Sequence, residues 1–102
     1  MKQDSTAAVQ WYQKAASAGN QGAMLSLAEM YAAGEGTKVD RPAAFILLFR
    51  SSMAGVNGAK TKAGELLPQM SGAEIKQLEK KLRDMRLDPK KVFALVKGGP
   101  AS

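Results

Sequence analysis

The chain contains neither cysteine nor histidine. Without cysteine there is no disulfide, no thiol nucleophile and no zinc–thiolate site. Without histidine the commonest general base and the commonest transition-metal ligand are both missing. Ser–His and Cys–His chemistry is therefore excluded, and only carboxylates and lysines are left to carry a reaction. The acidic residues form no Asp-x-Asp or Glu-x-x-Glu spacing suited to a hard cation. Gly34-Glu35-Gly36 lacks both the lysine of a phosphate loop and the spacing of a dinucleotide turn. No catalytic residue, metal ligand or cofactor is expected, and the chain reads as a non-enzyme.

Long apolar runs are also missing. The greasiest stretch, Phe45 to Phe49, falls far short of the roughly 20 residues a membrane-spanning helix needs, so no membrane span is expected. The opening "MKQDSTAAVQ" has no apolar core of a signal peptide. A cytoplasmic setting is the default expectation, and a periplasmic or secreted one follows if a leader was trimmed. A length of 102 residues bounds the chain to one domain with a modest core. Charge is the composition's one bias, +6 in total. Residues 71–102 hold eight basic and four acidic side chains, against seven and five in residues 1–70. That tail suits an anionic partner or, more simply, a solvated helix face.

What the chain does have is an internal repeat. "DSTAAVQWYQKAASAGNQGA" (4–23) aligns with "DRPAAFILLFRSSMAGVNGA" (40–59) at an offset of 36 without a gap. Asp4 falls on Asp40, Ala7-Ala8 on Ala43-Ala44, Ala18-Gly19 on Ala54-Gly55, Gly22-Ala23 on Gly58-Ala59 and Glu29 on Glu65. A period in the mid-thirties marks a two-helix solenoid unit.

Punctuation and periodicity place the helices. Asp4 or Ser5 caps a first helix to about Ala18, with Ala8, Trp11, Tyr12 and Ala15 on its apolar face, and Gly19 ends it. A second helix runs from about Gln21 to Ala33 on Met24, Leu27, Ala28 and Tyr31, and Gly34 and Gly36 break it. Asp40 caps a third helix with Pro42 in its first turn, and Gly55 ends that one. A fourth, about Asn57 to Met70, carries Ala59, Ala63, Leu66 and Leu67, with Pro68 kinking or ending its last turn. Ser71 and Glu74 have capping-box spacing before a fifth helix on Ile75, Leu78, Leu82 and Met85. Asp88 and Pro89 open a short sixth helix that Gly98-Gly99 stops. No strand is evident, so the fold class is all-α.

The segment "WYQKAASAGNQGAMLSLAEMYAAGEGTKVDRPAA" (11–44) carries Trp11-Tyr12, Lys14-Ala15-Ala16, Gly19, Ala23, Leu27-Ala28, Met30-Tyr31, Gly34-x-Gly36, Asp40 and Ala44 in fixed order. In this it resembles the Sel-one-like repeat family, relatives of the tetratricopeptide repeats, over about residues 5–67. The second repeat departs from the family pattern at Thr37, at Leu47-Leu48-Phe49 and at Arg50-Ser51-Ser52. The resemblance implies an α/α solenoid of antiparallel helix pairs with C-terminal capping helices. Residues 4–21 are then the second helix of a first repeat, 22–55 a full repeat, 56–70 the first helix of the next and 71–97 a helical cap. It also implies a non-catalytic scaffold, adaptor or regulator that binds another protein, of the kind found in bacterial signalling, secretion, envelope and virulence systems.

In such a stack the first helix of each repeat lines the inner curve. Ser26, Glu29, Met30 and Ala33, with Lys62 and Glu65 on the next repeat, are therefore candidate protein-binding residues, set against an ordinary solvated face. A second candidate is Ile46, Phe49 and Met53, which replace Gln10, Gln13 and Ser17 of the first repeat at i, i+3, i+7. That stripe needs a cover: the chain's own "VFALV" (92–96) is the first expectation, a second copy or another protein the alternatives. The helix that should pack behind Trp11 and Tyr12 is also missing from the array. Either the chain is the C-terminal part of a longer protein or a second copy supplies the surface, making a homodimer. The alternative function is polyanion or nucleic-acid binding through Lys76, Lys80, Lys81, Arg83, Lys90 and Lys91. It lacks interleaved aromatics for base stacking and any recognised motif, so nucleic acid is not the expected partner.

Overall fold

Side chains that compete with the backbone start four of the helices. Asn20 accepts from the Ala23 amide at 2.9 Å and starts α2 (Gln21–Ala33). Asp40 accepts from the Ala43 amide at 3.1 Å and starts α3 (Arg41–Met53), with Pro42 in its first turn. Ser71 and Glu74 form the reciprocal capping box of α5 (Gly72–Asp84). Asp88 accepts from the Lys90 amide at 3.0 Å ahead of α6 (Pro89–Val96). Each bond satisfies an amide that the first helical turn leaves without a partner. Before α2 comes α1 (Ser5–Ser17), and between α3 and α5 lies α4 (Ala59–Leu66) with a 3₁₀ turn over Leu67–Gln69. The computed structural model describes residues 5–97, among which there is no strand. The Asp4 cap and the Gly98-Gly99 stop lie outside the described residues.

The start of α4 differs from expectation for a local reason. Its position equivalent to Asn20 is Val56, which cannot cap. Gly58 stands at the N-terminus instead with no side-chain bond, and the helix begins at Ala59 rather than Asn57. Pro68 converts the last turn to 3₁₀ geometry, as its ring and missing amide require.

The helices stack along one axis as antiparallel neighbours, giving extents of 46 × 29 × 24 Å. α2 packs on α1 and α3, and α3 is held between α2 and α4 with α5 across it. The loop from α2 to α3 is folded back: Gly34 ends α2 in the left-handed region, and the Asp40 amide donates to the Tyr31 carbonyl at 2.8 Å. Gly36, at φ 76°, lies where a Cβ would run into the Ser5 backbone, so this loop seats directly on the start of α1. Gln13 donates to the Tyr31 hydroxyl at 2.8 Å and ties α1 to α2 as well.

One core runs through the stack. Met24, Leu27 and Ala28 of α2 are buried as expected, and α3 buries Ala44, Phe45, Leu47, Leu48 and Phe49, most of its circumference. Leu78 and Leu82 of α5 are fully buried, Ile75 half so, while Met85 at the helix end is exposed. The expected face of α1 is corrected. Val9 and Ala16 are its buried residues, Ala8 and Ala15 are half-buried, and Trp11 is 74% exposed. The reason is that α1 packs extensively only on α2, whereas a buried Trp11 needs a helix on the opposite side.

A cleft between the first helices of successive repeats

Ser26 and Glu29 recur, at the offset of 36, as Lys62 and Glu65. α2 and α4 place these pairs side by side. The Lys62 ammonium donates to the Glu29 carboxylate at 2.6 Å, with both side chains about half exposed. That hydrogen bond, then the attraction of the Glu29 charge, raises the Lys62 pKa above its ordinary value; partial desolvation opposes it and Glu65 adds a smaller lift. Glu29 and Glu65 are thus not two equal acceptors in a row. One is clasped by Lys62, and the other has no ion pair among the described residues.

Around this clasp is a cleft of about 220 Å³ lined by Ala28, Glu29, Ala32, Leu48, Lys62, Glu65, Leu66 and Gln69. Its floor is apolar, made of alanines and leucines whose other sides belong to the core, and its rim is charged. On the far side of Glu29 a second groove of about 290 Å³ runs between α1 and α2, where Ser26 and Met30 meet Ser5, Ala8, Tyr12 and Glu35. Glu29 lines both and forms the ridge between them. Ala33 is exposed but lines neither, and Met30 is buried, so it offers only an edge.

The second candidate stripe does not hold together. Phe49 is buried and belongs to the core, Ile46 is half-buried against it, and Met53 is 69% exposed. The tail helix α6 packs on α4 and α5 and also touches α3 through a ring contact, joining the same core as Phe49 and Ile46. Val92 and Val96 are buried there, and the Phe93 ring meets Phe45 edge-on, with centroids 5.9 Å apart and planes at 84°. In the sequence Phe45 is marked only by its place in the apolar run Phe45 to Phe49.

The cap is also clipped by charge. Arg41 at the start of α3 reaches both Glu74 carboxylate oxygens, at 3.1 and 3.3 Å. The Ser71 amide bond and the Arg41 guanidinium hold the Glu74 carboxyl below its ordinary value against a smaller burial effect. The basic residues Lys76, Lys80, Lys81, Arg83, Lys90 and Lys91 are all exposed, with Arg83 within 3.9 Å of Glu79. Of them, Lys91 borders a groove beside Lys60, Ala94 and Leu95, and the geometry gives the polyanion reading no support. No helix among the described residues is long and apolar enough to cross a membrane, and no group of three or more Asp or Glu side chains is placed to share a cation there.

The helix pair α2–α3, closed by the Gly34–Asp40 loop, is the unit that a known family shares. The family model of the Sel1 repeat matches residues 1–20 and 22–56, more than half of the chain. The chain belongs to the Sel1 repeat family. The longer match covers α2 and α3, and the shorter one takes in α1. Sel1 repeats are helical solenoid units that generally mediate protein–protein interaction and are typically non-catalytic. No curated protein and no solved structure matches the chain.

Proposed function

We propose that this Sel1 repeat protein is a binding scaffold whose recognition surface is the α2–α4 cleft. The observation that carries the reading is the construction of that cleft: an apolar floor of Ala28, Ala32, Leu48 and Leu66 under a rim of Glu29, Lys62, Glu65 and Gln69. A floor of small side chains lets a partner segment approach closely, and a charged rim fixes its register. Glu65 is the free acceptor of the rim and the contact for a basic or hydroxyl-bearing group on the partner.

The test is site-specific photo-crosslinking in cells of the source organism, with the crosslinker placed at Ala32, at Glu65 or, as a control on the basic face, at Lys80. Crosslinks to a defined partner from Ala32 and Glu65 but not from Lys80 support the cleft. Equal capture from all three positions, or capture only from Lys80, refutes it. An Ala32→Arg variant with unchanged helical circular dichroism should lose the partner, because the arginine fills the cleft without entering the core.

A further inference from the structure

The α2–α4 cleft is built wholly inside the array, from α2, α3, α4 and the 3₁₀ turn that follows α4. Its volume is about 220 Å³. Small-molecule sites run to roughly 300–1,000 Å³, so this one suits a single long side chain. The floor of Ala28, Ala32, Leu48 and Leu66 offers no side chain that can hydrogen-bond. The rim sets the polarity. The Lys62 ammonium is engaged by Glu29 at 2.6 Å, and the two charges cancel. Gln69 donates through Nε2 to the Glu65 carbonyl oxygen at 3.1 Å, and its own Oε1 has no hydrogen bond among the described residues. The Glu65 carboxylate has no ion pair among them either. What the rim holds open is therefore one carboxylate and, one turn along, one amide oxygen.

We propose that the cleft anchors a single arginine side chain on a segment of another protein, a reading that rests on the cleft being the binding surface. The occupant has three features to match. Its stem lies along alanines and leucines, its head brings donors to more than one acceptor, and its charge offsets one carboxylate. Arginine meets all three. Its methylenes cover apolar surface while the head stays at the rim, and the planar guanidinium presents its donors in a fixed fork. Lysine supplies the stem and the charge but only a point donor. A neutral side chain leaves Glu65 uncompensated, and an acidic one meets it head-on. The chain's own charge limits the segment as well. At +6 it repels a run of basic residues, whereas one cation answers the one open carboxylate. A second copy would bring a further +6, so the arginine comes from a different protein.

The probe is the peptide acetyl-Ala-Ala-Arg-Ala-Ala-amide, titrated against the isotope-labelled chain and followed by the amide resonances of Ala32, Glu65 and Gln69. The expected result is a set of shifts confined to the cleft that saturate in the millimolar range. The citrulline peptide, equal in shape but uncharged, should bind several-fold more weakly, and the lysine peptide should fall between the two. Glu65→Gln, at an exposed site, should keep its helical circular dichroism and lose the preference for arginine over citrulline. Lys62→Ser, which restores the residue of the first repeat, frees Glu29 as a second carboxylate and should tighten arginine binding several-fold. Equal binding of the arginine and citrulline peptides, lysine binding as tight as arginine, an unchanged preference in Glu65→Gln, or no shift at the cleft would each overturn the proposal. So would cleft resonances that move with protein concentration before peptide is added, since a second copy would then be the occupant. Crosslinks from Ala32 and Glu65 together with equal arginine and citrulline binding would remove the anchor and keep the cleft, whereas absent crosslinks would remove the cleft itself.

Discussion

Gly64 tests how the C-terminal helix is seated. It stands inside α4 where α6 crosses, and a Cβ built there would lie 2.6 Å from the Val96 carbonyl oxygen. Real Cβ atoms do not come so close to a backbone oxygen, and this one cannot swing aside as a side chain could. In an open helix Gly→Ala stabilises by about 1 kcal/mol, because alanine loses less conformational freedom. Against that stands overpacking, which typically costs about 1–3 kcal/mol. The two terms leave Gly64→Ala between neutral and about 2 kcal/mol destabilising.

Gly72, the first residue of α5, supplies the control, since nothing lies within 4 Å of a Cβ built there. Gly72→Ala should gain a few tenths to about 1 kcal/mol. The sharp expectation is the difference between the two variants, roughly 1–3 kcal/mol in favour of Gly72→Ala. Urea unfolding followed by circular dichroism measures it, and thermal melts should separate by about 4–8 °C per kcal/mol. If both substitutions stabilised equally, α6 would not rest on α4 at Gly64, and its role as the cap of the stack would fail with it.

Ser51 is fully buried and its hydroxyl has no hydrogen-bond partner among the described residues, while the equivalent residue of the first repeat is Ala15. Ser51→Ala should therefore raise stability by about 1 kcal/mol, and a measured loss would mean that the hydroxyl is bonded. Phe45→Leu and Phe93→Leu, made singly and together, should show a coupling of about 0.5–1.5 kcal/mol from the edge-on rings; strict additivity would rule that contact out. Glu74 gives a pH signature. Its folded pKa lies below the ordinary value of 4.5, so its contribution is present above that value and is lost as pH falls through the folded pKa. Glu74→Gln should accordingly be less stable than wild type at neutral pH, with the gap closing below pH 4.5; a gap that persists into acid contradicts the assignment.

Helix ends were largely legible because their chemistry is local. Asp40, the Ser71–Glu74 pair, Asp88 and Gly34 each act within one turn, and the structure uses all of them as read. The late start of α4 was legible in the same terms, from the replacement of the Asn20 cap by Val56. Faces were harder. In α1 the helical period fits Ala8-Trp11-Tyr12-Ala15 as well as Val9-Ala16, and a neighbour in space decides which is buried. The stripe of Ile46, Phe49 and Met53 failed for a related reason: one helix period spans a boundary, with Phe49 on the core side and Met53 in solvent.

The cleft shows what a repeat can and cannot tell. An offset of 36 makes Ser26 equivalent to Lys62 and Glu29 to Glu65, so the sequence places all four on one surface. Equivalence relates a residue to its image, however, not to its neighbour. The contact that forms is Lys62 with Glu29, the first position of one repeat against the second position of the repeat before it. A serine at Lys62, as in the first repeat, would be too short to reach. Divergence between the repeats therefore created the clasp, and it did so by removing one carboxylate from the rim and leaving Glu65 open. A perfectly repeated sequence would line the cleft with two identical acceptors, whereas this one offers a single acceptor beside a neutralised pair. On the proposed reading, a partner at that rim meets one direction along the stack and not the other, so the divergence of Lys62 from Ser26 gives the proposed surface its polarity.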